Sequence, residues 1–441
     1  MRMQKVLGIA LSTGVLLAAA VAYCQDFSYP FQFDSPFGFS DVYESFQQAT
    51  GKGGGIQVGP FQLKPGLQID ANYTDNPQYR NQDKESDFYM DISPSLAFSL
   101  GQAVKFKDYV SFGYDADLGA YTKVTENDYT RHTLWADVNL LRRPTTYMRL
   151  REAITYTDDP YGSQEFVGLG TSNRRFVNQS DFVVGRNLPH DYVLELGYEN
   201  LWQNYLDRGF EEDSSVDHIL TPTVLYELSG KTKLLAQYSF DYRNFYRQPS
   251  DVAADYTVQE VMGGVRWAAS AKLTGELKGG YGWRHFLNDF DAAGFPYDDS
   301  GTPVYSAVLN YLFSPKTAIQ LTASRDFLMG SGLPAGSIGA EDPASFQESI
   351  TRDAFALAVN TNLRANLRFT AGGGFDLDHY DQTAEFEDRT DKIFNAGVNF
   401  KHQIRRYLWW GLGYSFEKRD SPVVTERYTA NTMTASLGLA Y

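Results

Sequence analysis

The segment LLAQYSFDYR, Leu234 to Arg243, alternates between two kinds of side chain. Every second residue from Leu234 to Tyr242 is apolar or aromatic, and the intervening positions from Gln237 onward are polar or charged. Successive side chains of a β-strand point to opposite faces, so a period of two indicates a strand with one apolar and one polar face. Strands of globular proteins usually have about five or six residues. A run twice that length matches the nine to eleven or so that cross a bilayer.

The same alternation recurs along the rest of the chain. In Leu408 to Glu417 the even positions are apolar or aromatic, and the odd positions from Gly411 are small or polar. Segments of this kind, about ten to fourteen residues long, follow one another from Phe61 to Tyr441. The number of these segments predicts about eighteen strands.

The connections between these segments alternate in length. The short ones are 142–144, 187–191, 229–231, 270–272, 314–316, 364–365 and 402–406. The longer ones, rich in Asp, Gly and Pro, are 75–87, 158–173, 206–213, 247–254, 288–301, 330–345 and 381–387. Outer-membrane barrels have short periplasmic turns, longer outer loops and an even number of antiparallel strands. We therefore predict an all-β transmembrane barrel at residues 61–441, in the outer membrane of a Gram-negative-type bacterium.

The last eight residues, TASLGLAY, form the final predicted strand. Leu437, Leu439 and Tyr441 share one face, which we expect to contact membrane lipid, with Tyr441 in the interfacial aromatic girdle. Thr434, Ser436, Leu439 and Tyr441 also fit the pattern that resembles the C-terminal recognition signal of outer-membrane proteins. The expected partners are therefore membrane lipid and the barrel-assembly machinery.

The first residues predict a signal peptide over residues 1–22. Arg2 and Lys5 precede an apolar run at 6–22 that ends in the small-x-small pattern AVA, which places the cleavage before Tyr23. The single cysteine is Cys24, and the bulky Tyr23 before it disfavours a lipoprotein site. No later stretch has the 18 or so apolar residues of a membrane-spanning helix.

Residues 23–60 form a separate N-terminal periplasmic segment in this interpretation. Aromatic residues, prolines and the glycines of 53–55 are mixed here without a regular period. Residues 40–50 are compatible with a short helix that Gly51 ends. The segment is either a flexible tether or a plug for the barrel, and we favour the tether.

The overall composition excludes one class of partner. The chain has 54 acidic against 39 basic residues, a formal charge of -15. Nucleic-acid binding requires a basic surface to neutralise phosphates, so we expect no nucleic-acid partner.

Three stretches resemble one known family. They are LKPGLQIDANYTDNPQYR (63–80), SDFYMDISPSLAFSL (86–100) and YLFSPKTAIQLTASRDF (311–327). They are similar to outer-membrane porins of the beta-barrel porin 2 type, which are often associated with exopolysaccharide production. The resemblance extends over most of residues 61–441 as a diffuse pattern of strand and turn residues. It implies an outer-membrane barrel and supplies no catalytic motif.

The distribution of histidines argues against an enzyme. The six histidines are scattered, and none has the H-x-x-x-H spacing of metal ligands. The single tight cluster is Asp376, Asp378 and His379, and the period of two places His379 on the face opposite to both carboxylates. We therefore expect no catalytic residue, no metal and no cofactor.

The polar faces of the strands supply the candidate pore-lining residues. Both charge signs occur among them, and we expect most to solvate the wall and to pair across strands. The candidates are Arg131, Asp137, Arg149, Arg151, Glu195, Glu199, Asp241, Arg243, Arg266, Arg284, Arg368 and Asp376. The inward aromatic candidates for stacking on sugars are Tyr121, Trp135 and Trp409. Arg131, Arg149 and Arg151 lie on neighbouring strands and suggest a local basic patch.

Three functions agree with these patterns. The first is a porin-like channel for solutes. The second is the barrel of an exopolysaccharide secretion system, with a polysaccharide cargo and periplasmic export partners. The third is a structural or adhesive barrel with a blocked lumen. An exporter of an acidic polymer requires a predominantly cationic lumen, because charged rings set selectivity, and the mixed signs favour the first function.

Overall fold

The computed structural model describes residues 56–100, 109–142, 145–159, 173–208, 210–270, 272–290, 296–297, 299–329, 349–380 and 389–440. The predicted signal peptide, residues 23–55 and Tyr441 lie outside the described residues. Within the described ranges, no helix is long and apolar enough to cross a membrane.

Nineteen strands follow one another in the part of the chain that the structure describes. They are β1 (Ile56–Val58), β2 (Phe61–Thr74), β3 (Asp87–Leu100), β4 (Tyr109–Tyr121), β5 (Tyr129–Arg142), β6 (Thr146–Thr157), β7 (Arg175–Asn187), β8 (Tyr192–Tyr205), β9 (Ser215–Ser229), β10 (Thr232–Asn244), β11 (Tyr256–Ser270), β12 (Leu273–Phe286), β13 (Ser300–Ser314), β14 (Thr317–Met329), β15 (Ser349–Arg364), β16 (Leu367–Tyr380), β17 (Arg389–Arg405), β18 (Leu408–Asp420) and β19 (Tyr428–Ala440).

Antiparallel pairing closes these strands into one barrel. Each strand from β2 to β18 pairs with the next, and β19 pairs with β2 from Thr432 opposite Thr74 to Ala440 opposite Gly66. Closure leaves no unpaired edge in the eighteen-strand wall, as a membrane-spanning sheet requires. The predicted barrel of about eighteen antiparallel strands is confirmed. The short β1, which lies within the predicted leader, pairs with the start of β2.

The two faces of each strand differ as the period of two requires. In β10, Tyr238 is 38% exposed on the outside, whereas the neighbouring Gln237 is 6% exposed and points inward. On β2 and β3 the outer face carries apolar side chains such as Tyr73, Phe88 and Leu96, which are exposed in the isolated barrel. A bilayer covers such a surface, and the polar residues face the lumen.

Three short turns share one hydrogen-bond pattern. Ser229, Ser270 and Ser314 each accept, through the side-chain oxygen, a hydrogen bond from the backbone N–H of the lysine two residues later, at 3.1–3.3 Å. A serine that bonds the backbone two residues on stabilises a tight turn. The predicted turn at 402–406 lies later than expected, because β17 continues to Arg405 and the turn is 406–407.

The opposite end of the barrel carries the long connections. Three of them contain short 3₁₀ turns, at Thr125–Asn127, Glu211–Asp213 and Val424–Glu426. Because outer-membrane barrels have long outer loops, this end is the extracellular one and the end with the short turns is periplasmic. β2 begins and β19 ends at the periplasmic end.

Candidate functional site: the barrel lumen

Inward-facing aromatic rings lie flat against the lumen wall. The Trp135 ring lies over Gly113, its neighbour on β4, so that a Cβ at Gly113 would stand 2.6 Å from the ring. Trp409 lies in the same way over Gly438 on β19. Tyr129 over Gly119 and Tyr147 over Gly185 repeat the arrangement. Glycine opposite an aromatic residue therefore allows large rings to follow the wall instead of projecting across the lumen.

The three aromatic stacking candidates are partly engaged by the protein itself. Trp135 donates its indole N–H to the Asp115 carboxylate at 2.6 Å. Tyr121 stacks on Tyr89 with ring centroids 4.5 Å apart. The Lys401 ammonium lies 3.6 Å from the centroid of the Trp409 ring. These contacts fix the orientation of each ring.

A buried ion network occupies the periplasmic half of the lumen. Arg266 on β11 contacts Glu195 on β8 at 3.1 Å and Glu276 on β12 at 2.5 Å. Lys278, which is 1% exposed, contacts Glu276 at 3.2 Å, and Tyr147 donates its hydroxyl to Glu195. Arg266 and Glu195 are three strands apart, so their side chains meet inside the barrel and not along the wall.

An apolar cluster lies on β8, β9 and β10, beside the strands that carry this network. Val193, Leu225 and Leu235 are buried against one another although their positions face inward. The apolar contact and the ion network together hold β8 to β11 in one arrangement near the periplasmic end. Since an isolated buried charge is very costly, each charged member of the network requires its partners.

A second set of ion pairs lies near the extracellular ends of the strands. Arg352 forms a bidentate pair with Asp378, at 2.6 and 2.7 Å. Arg419 contacts Asp391 at 2.7 Å. Arg243 contacts Asp217 at 2.6 Å in the same region. Each of these arginines therefore has a carboxylate partner at the outer mouth, where Asp378 and Asp391 lie directly opposite each other.

Arg284 stands in an aromatic environment at this mouth. Its guanidinium carbon lies 5.2 Å from the Phe327 centroid and 5.5 Å from the Phe286 centroid. Arg284 is buried and also donates to the Ser300 hydroxyl at 3.2 Å. The same guanidinium carbon lies 6.0 Å from the centroid of the Tyr256 ring, so three aromatic rings surround it. A buried arginine held by rings is part of the wall packing.

The predicted basic patch of Arg131, Arg149 and Arg151 is not formed. Arg131 lies near the extracellular end of β5 and contacts Asp159 at 2.6 Å. Arg149 lies near the periplasmic end of β6, where its Nε is 3.9 Å from Asp137. The prediction considered only which strands are neighbours, whereas the register separates the two arginines along the barrel axis.

The other predicted pore-lining residues also face the lumen. Arg151 lies directly opposite Asp137 on one side and Asp181 on the other, so acidic residues flank it. Asp181 in turn lies opposite Glu199. Asp241 and Asp376 occupy inward positions of β10 and β16.

Two neighbouring inward residues near the periplasmic end are both cationic. Arg368 on β16 lies directly opposite Lys401 on β17, and like charges in this arrangement repel each other. Arg368 donates to the Asn360 side-chain oxygen at 3.1 Å. Lys401 contacts Trp409 and, among the described residues, has no carboxylate within ion-pair distance. Sequence reasoning missed Lys401, although its position in the period of two along β17 marks it as inward.

The Asp376, Asp378 and His379 cluster is divided between the two faces. Asp378 binds Arg352 in the lumen, whereas the outward His379 is 3.1 Å from Asp353. The Asp353 carboxylate is also 2.6 Å from Arg325. The Arg325 guanidinium therefore neutralises Asp353 on the outer face near the extracellular end.

The extracellular loops carry one ion pair that alters a pKa. The Arg174 side chain donates two hydrogen bonds to the Asp207 carboxylate, at 2.6 and 2.8 Å, and its backbone N–H donates a third. Partial burial acts to raise the pKa of Asp207, but these hydrogen bonds and the positive charge outweigh it and hold the pKa below its ordinary value.

The residues of the predicted assembly signal occupy the two faces of β19. Leu437 and Leu439 are 49% and 46% exposed on the outer face. Ser436 is buried on the lumen side, and Thr434 also points inward opposite Gly413. This arrangement gives the end of the barrel an apolar outer surface.

Several solved structures of outer-membrane proteins are similar to this chain. The chain is similar to the outer membrane protein opdK of Pseudomonas aeruginosa at 13% identity, covering 86% of this chain and 99% of that chain with a TM-score of 0.42. A BenF-like porin of Pseudomonas fluorescens Pf-5 is similar at 11% identity, and the similarity covers 87% of this chain and 100% of that chain with a TM-score of 0.44. The outer membrane channel DcaP of Acinetobacter baumannii is similar at 13% identity, and the similarity covers 88% of this chain and 99% of that chain with a TM-score of 0.43. No curated protein sequence matches the chain.

A family defined by sequence gives the decisive match. The family described as "Putative beta-barrel porin 2" matches residues 49–143 and 218–441, which is more than two thirds of the chain. The match includes the strands on both sides of the closure between β19 and β2. The chain belongs to this beta-barrel porin 2 family, and it is a porin-like barrel of the bacterial outer membrane.

Proposed function

We propose that this porin-like channel conducts small hydrophilic solutes with little preference for the sign of their charge. The observation that supports the proposal is the pairing of the lumen charges. Arg131, Arg243, Arg266, Arg352 and Arg419 each contact at least one carboxylate. Rings of one sign make a pore selective, whereas close pairs of opposite charge present nearly neutral dipoles to a passing solute.

The flat aromatic rings support the same function. Trp135 and Trp409 cover glycines on the wall and expose ring surface along the lumen instead of closing it. A polar wall with hydroxyl, amide and paired charged groups offers a hydrated solute hydrogen bonds without holding it tightly. Passage requires this balance, because a tightly bound solute does not leave.

Arg368 and Lys401 form a local cationic site in this wall. Two neighbouring cations near the periplasmic end attract small anions over a distance of about a Debye length. In the proposed channel this pair gives a weak preference for anions at the inner exit. These two cations alone do not make the lumen predominantly cationic, as export of an acidic polysaccharide requires. We therefore place the secretion function second.

The proposal includes the expected partners and the absence of catalysis. Membrane lipid contacts the apolar outer face, and the barrel-assembly machinery recognises the terminal strand through Leu439 and Tyr441. We propose no catalytic role, because the chain belongs to a family of porin-like barrels. The Asp353 carboxylate, which lies near His379, also binds the Arg325 guanidinium.

A liposome-swelling assay tests the proposed function. Purified protein is reconstituted in vesicles, and the swelling rate is measured with neutral mono-, di- and trisaccharides and with a sugar acid of matched size. We expect entry rates that fall with size and differ little between neutral and charged solutes of one size. No swelling with any solute would indicate a blocked barrel, and entry restricted to the sugar acid would favour the acidic-polysaccharide function.

A further inference from the structure

A row of polar side chains crosses the outer wall of the barrel between β6 and β9. Direct cross-strand pairing aligns Glu152 with Ser180, Ser180 with Asn200, and Asn200 with His218. Asn178, two residues before Ser180 on the same face of β7, donates to the Glu152 carboxylate. We call these five residues the outer polar row.

The outer polar row lies at hydrocarbon depth at one end. Glu152 is the seventh of the twelve residues of β6, so it lies midway between the two ends of that strand. The row then approaches the extracellular ends of the strands, where His218 is the fourth residue of β9. Apolar residues such as Leu150, Ile154 and Leu196 surround it on the same face and are exposed in the isolated barrel. Polar groups facing hydrocarbon are costly and are usually a sign of function.

The hydrogen bonds within the row do not satisfy all of its groups. Glu152 receives one hydrogen bond, from Asn178, among the described residues. The Asn200 amide donates to the Asp217 carbonyl at 2.8 Å, and no described group donates to its side-chain oxygen. One carboxylate oxygen of Glu152 and the side-chain oxygen of Asn200 therefore have no donor among the described residues, and lipid tails cannot provide one.

The same row contains donors held by long bonds. The Ser180 hydroxyl is 3.5 Å from the Asn178 side-chain oxygen. The Asn178 amide is 3.4 Å from the Ala153 carbonyl, in addition to its bond to Glu152. Such long contacts are easily exchanged for shorter ones. The row therefore contains acceptors without a donor among the described residues, in Glu152 and Asn200, and donors held by long bonds, in Ser180 and Asn178. A second copy of the row could supply the missing partners of both kinds.

We propose that the outer polar row is the contact surface between two copies of this chain in the membrane. A two-fold interface uses the same surface on both subunits, which requires a surface that is complementary to itself. A second copy inserted in the same orientation places its own row at the same depth. The side-chain amides of Asn178 and Asn200 each combine donor and acceptor, and buried asparagines of this kind pair with their symmetry mates between helices.

The match to the family does not account for this surface. The matched ranges end at residue 143 and resume at 218, so Glu152, Asn178, Ser180 and Asn200 all lie in the unmatched part of the chain. Four of the five residues of the outer polar row therefore lie outside the ranges that the family match covers. The proposal is also independent of whether the lumen conducts.

Loss of the polar groups gives the first test. Wild-type protein, a triple variant (Glu152→Leu, Asn178→Leu and Asn200→Leu) and a control variant (Gln259→Leu) are labelled with fluorophores and reconstituted in vesicles at decreasing protein density. Gln259 is an exposed outward amide on β11, outside the row. Subunit association is measured by energy transfer, and folding by the heat-dependent mobility shift on gels.

We expect the wild type and the control variant to associate, and the folded triple variant to associate at least about tenfold more weakly, since each membrane hydrogen bond contributes a factor of a few or more. A wild type that remains monomeric at every density would overturn the proposal. Equal association of the folded triple variant and the wild type would also overturn it.

A cross-linking test avoids any dependence on the folding of the triple variant. Single cysteines replace Asn200 in the row and Leu321 on the distant strand β14, both in a Cys24→Ser background. Leu321 is 45% exposed on the outer face and serves as the matched position. We expect oxidation in vesicles to cross-link Asn200→Cys and not Leu321→Cys. Equal cross-linking at both positions would show random collision and contradict the proposed interface.

Discussion

Two adjacent substitutions in β10, Tyr238→Arg and Ser239→Arg, separate the lipid face from the lumen face at one depth. Tyr238 is the seventh of the thirteen residues of β10 and points outward, with its hydroxyl 3.1 Å from the Gln259 side-chain oxygen. Ser239 points inward, where its hydroxyl is 3.3 Å from that of Thr221 and its position lies directly opposite Glu260. The neighbouring positions have nearly the same distance to the membrane midplane.

The expected loss of stability differs strongly between the two variants. An arginine on the lipid face near the midplane costs about 2–4 kcal/mol. Loss of the tyrosine hydrogen bond adds about 1 kcal/mol, so Tyr238→Arg should destabilise the barrel by about 3–5 kcal/mol. Ser239→Arg places a cation opposite the Glu260 carboxylate in the polar lumen. Its effect should stay within about 1 kcal/mol.

Equilibrium unfolding in lipid vesicles measures both values. The folded fraction is followed against denaturant by the heat-dependent mobility shift, with Tyr238→Leu as the control for removal of the ring alone. The control should lose no more than the hydrogen bond and packing of the tyrosine. Equal destabilisation by the two arginines would refute the assigned faces. The inward and outward residues of β10 would then be exchanged, because a shift of one residue inverts both faces.

Three further substitutions follow from the lumen and the terminal strand. Lys401→Glu converts a repulsive cross-strand pair into an attractive one, and should shift the reversal potential of a reconstituted channel toward cation selectivity; an unchanged potential would exclude this pair from the ion path. Arg266→Ala leaves two buried carboxylates without their shared cation and should lower the free energy of unfolding by about 3–5 kcal/mol, whereas a loss below about 1 kcal/mol would show that water replaces the guanidinium. Tyr441→Asp places a charge on the proposed assembly signal and should slow insertion by reconstituted assembly machinery; wild-type insertion kinetics would count against that signal.

The barrel could be predicted from the sequence because its signals are local. A period of two marks each strand, and the composition of the connections marks each turn, as in the Ser-x-Lys turns at Ser229, Ser270 and Ser314. The polar residues of 402–406 resemble a turn, so the sequence predicts an end of β17 before residue 402. The sheet pairing instead extends to Arg405. Strand pairing can override a local preference of this kind.

The lumen contacts could not be predicted to the same extent. The period of two gives the face of a residue but not its height along the barrel, so Arg131 and Arg149 were expected together and lie near opposite ends. The contact between Arg266 and Glu195 joins strands that are not neighbours, and it depends on the curvature of the closed wall. Closure and shear determine both features, and no local pattern encodes them.

The proposed charge balance of the lumen can be measured in a planar-bilayer recording. The purified barrel is inserted into a bilayer that separates two potassium chloride solutions of different concentration, and the reversal potential of single channels is measured. We expect stable open channels whose reversal potential lies near zero, with a small displacement toward the anion side from Arg368 and Lys401. A closed barrel, or a reversal potential close to the equilibrium potential of either ion alone, would contradict it.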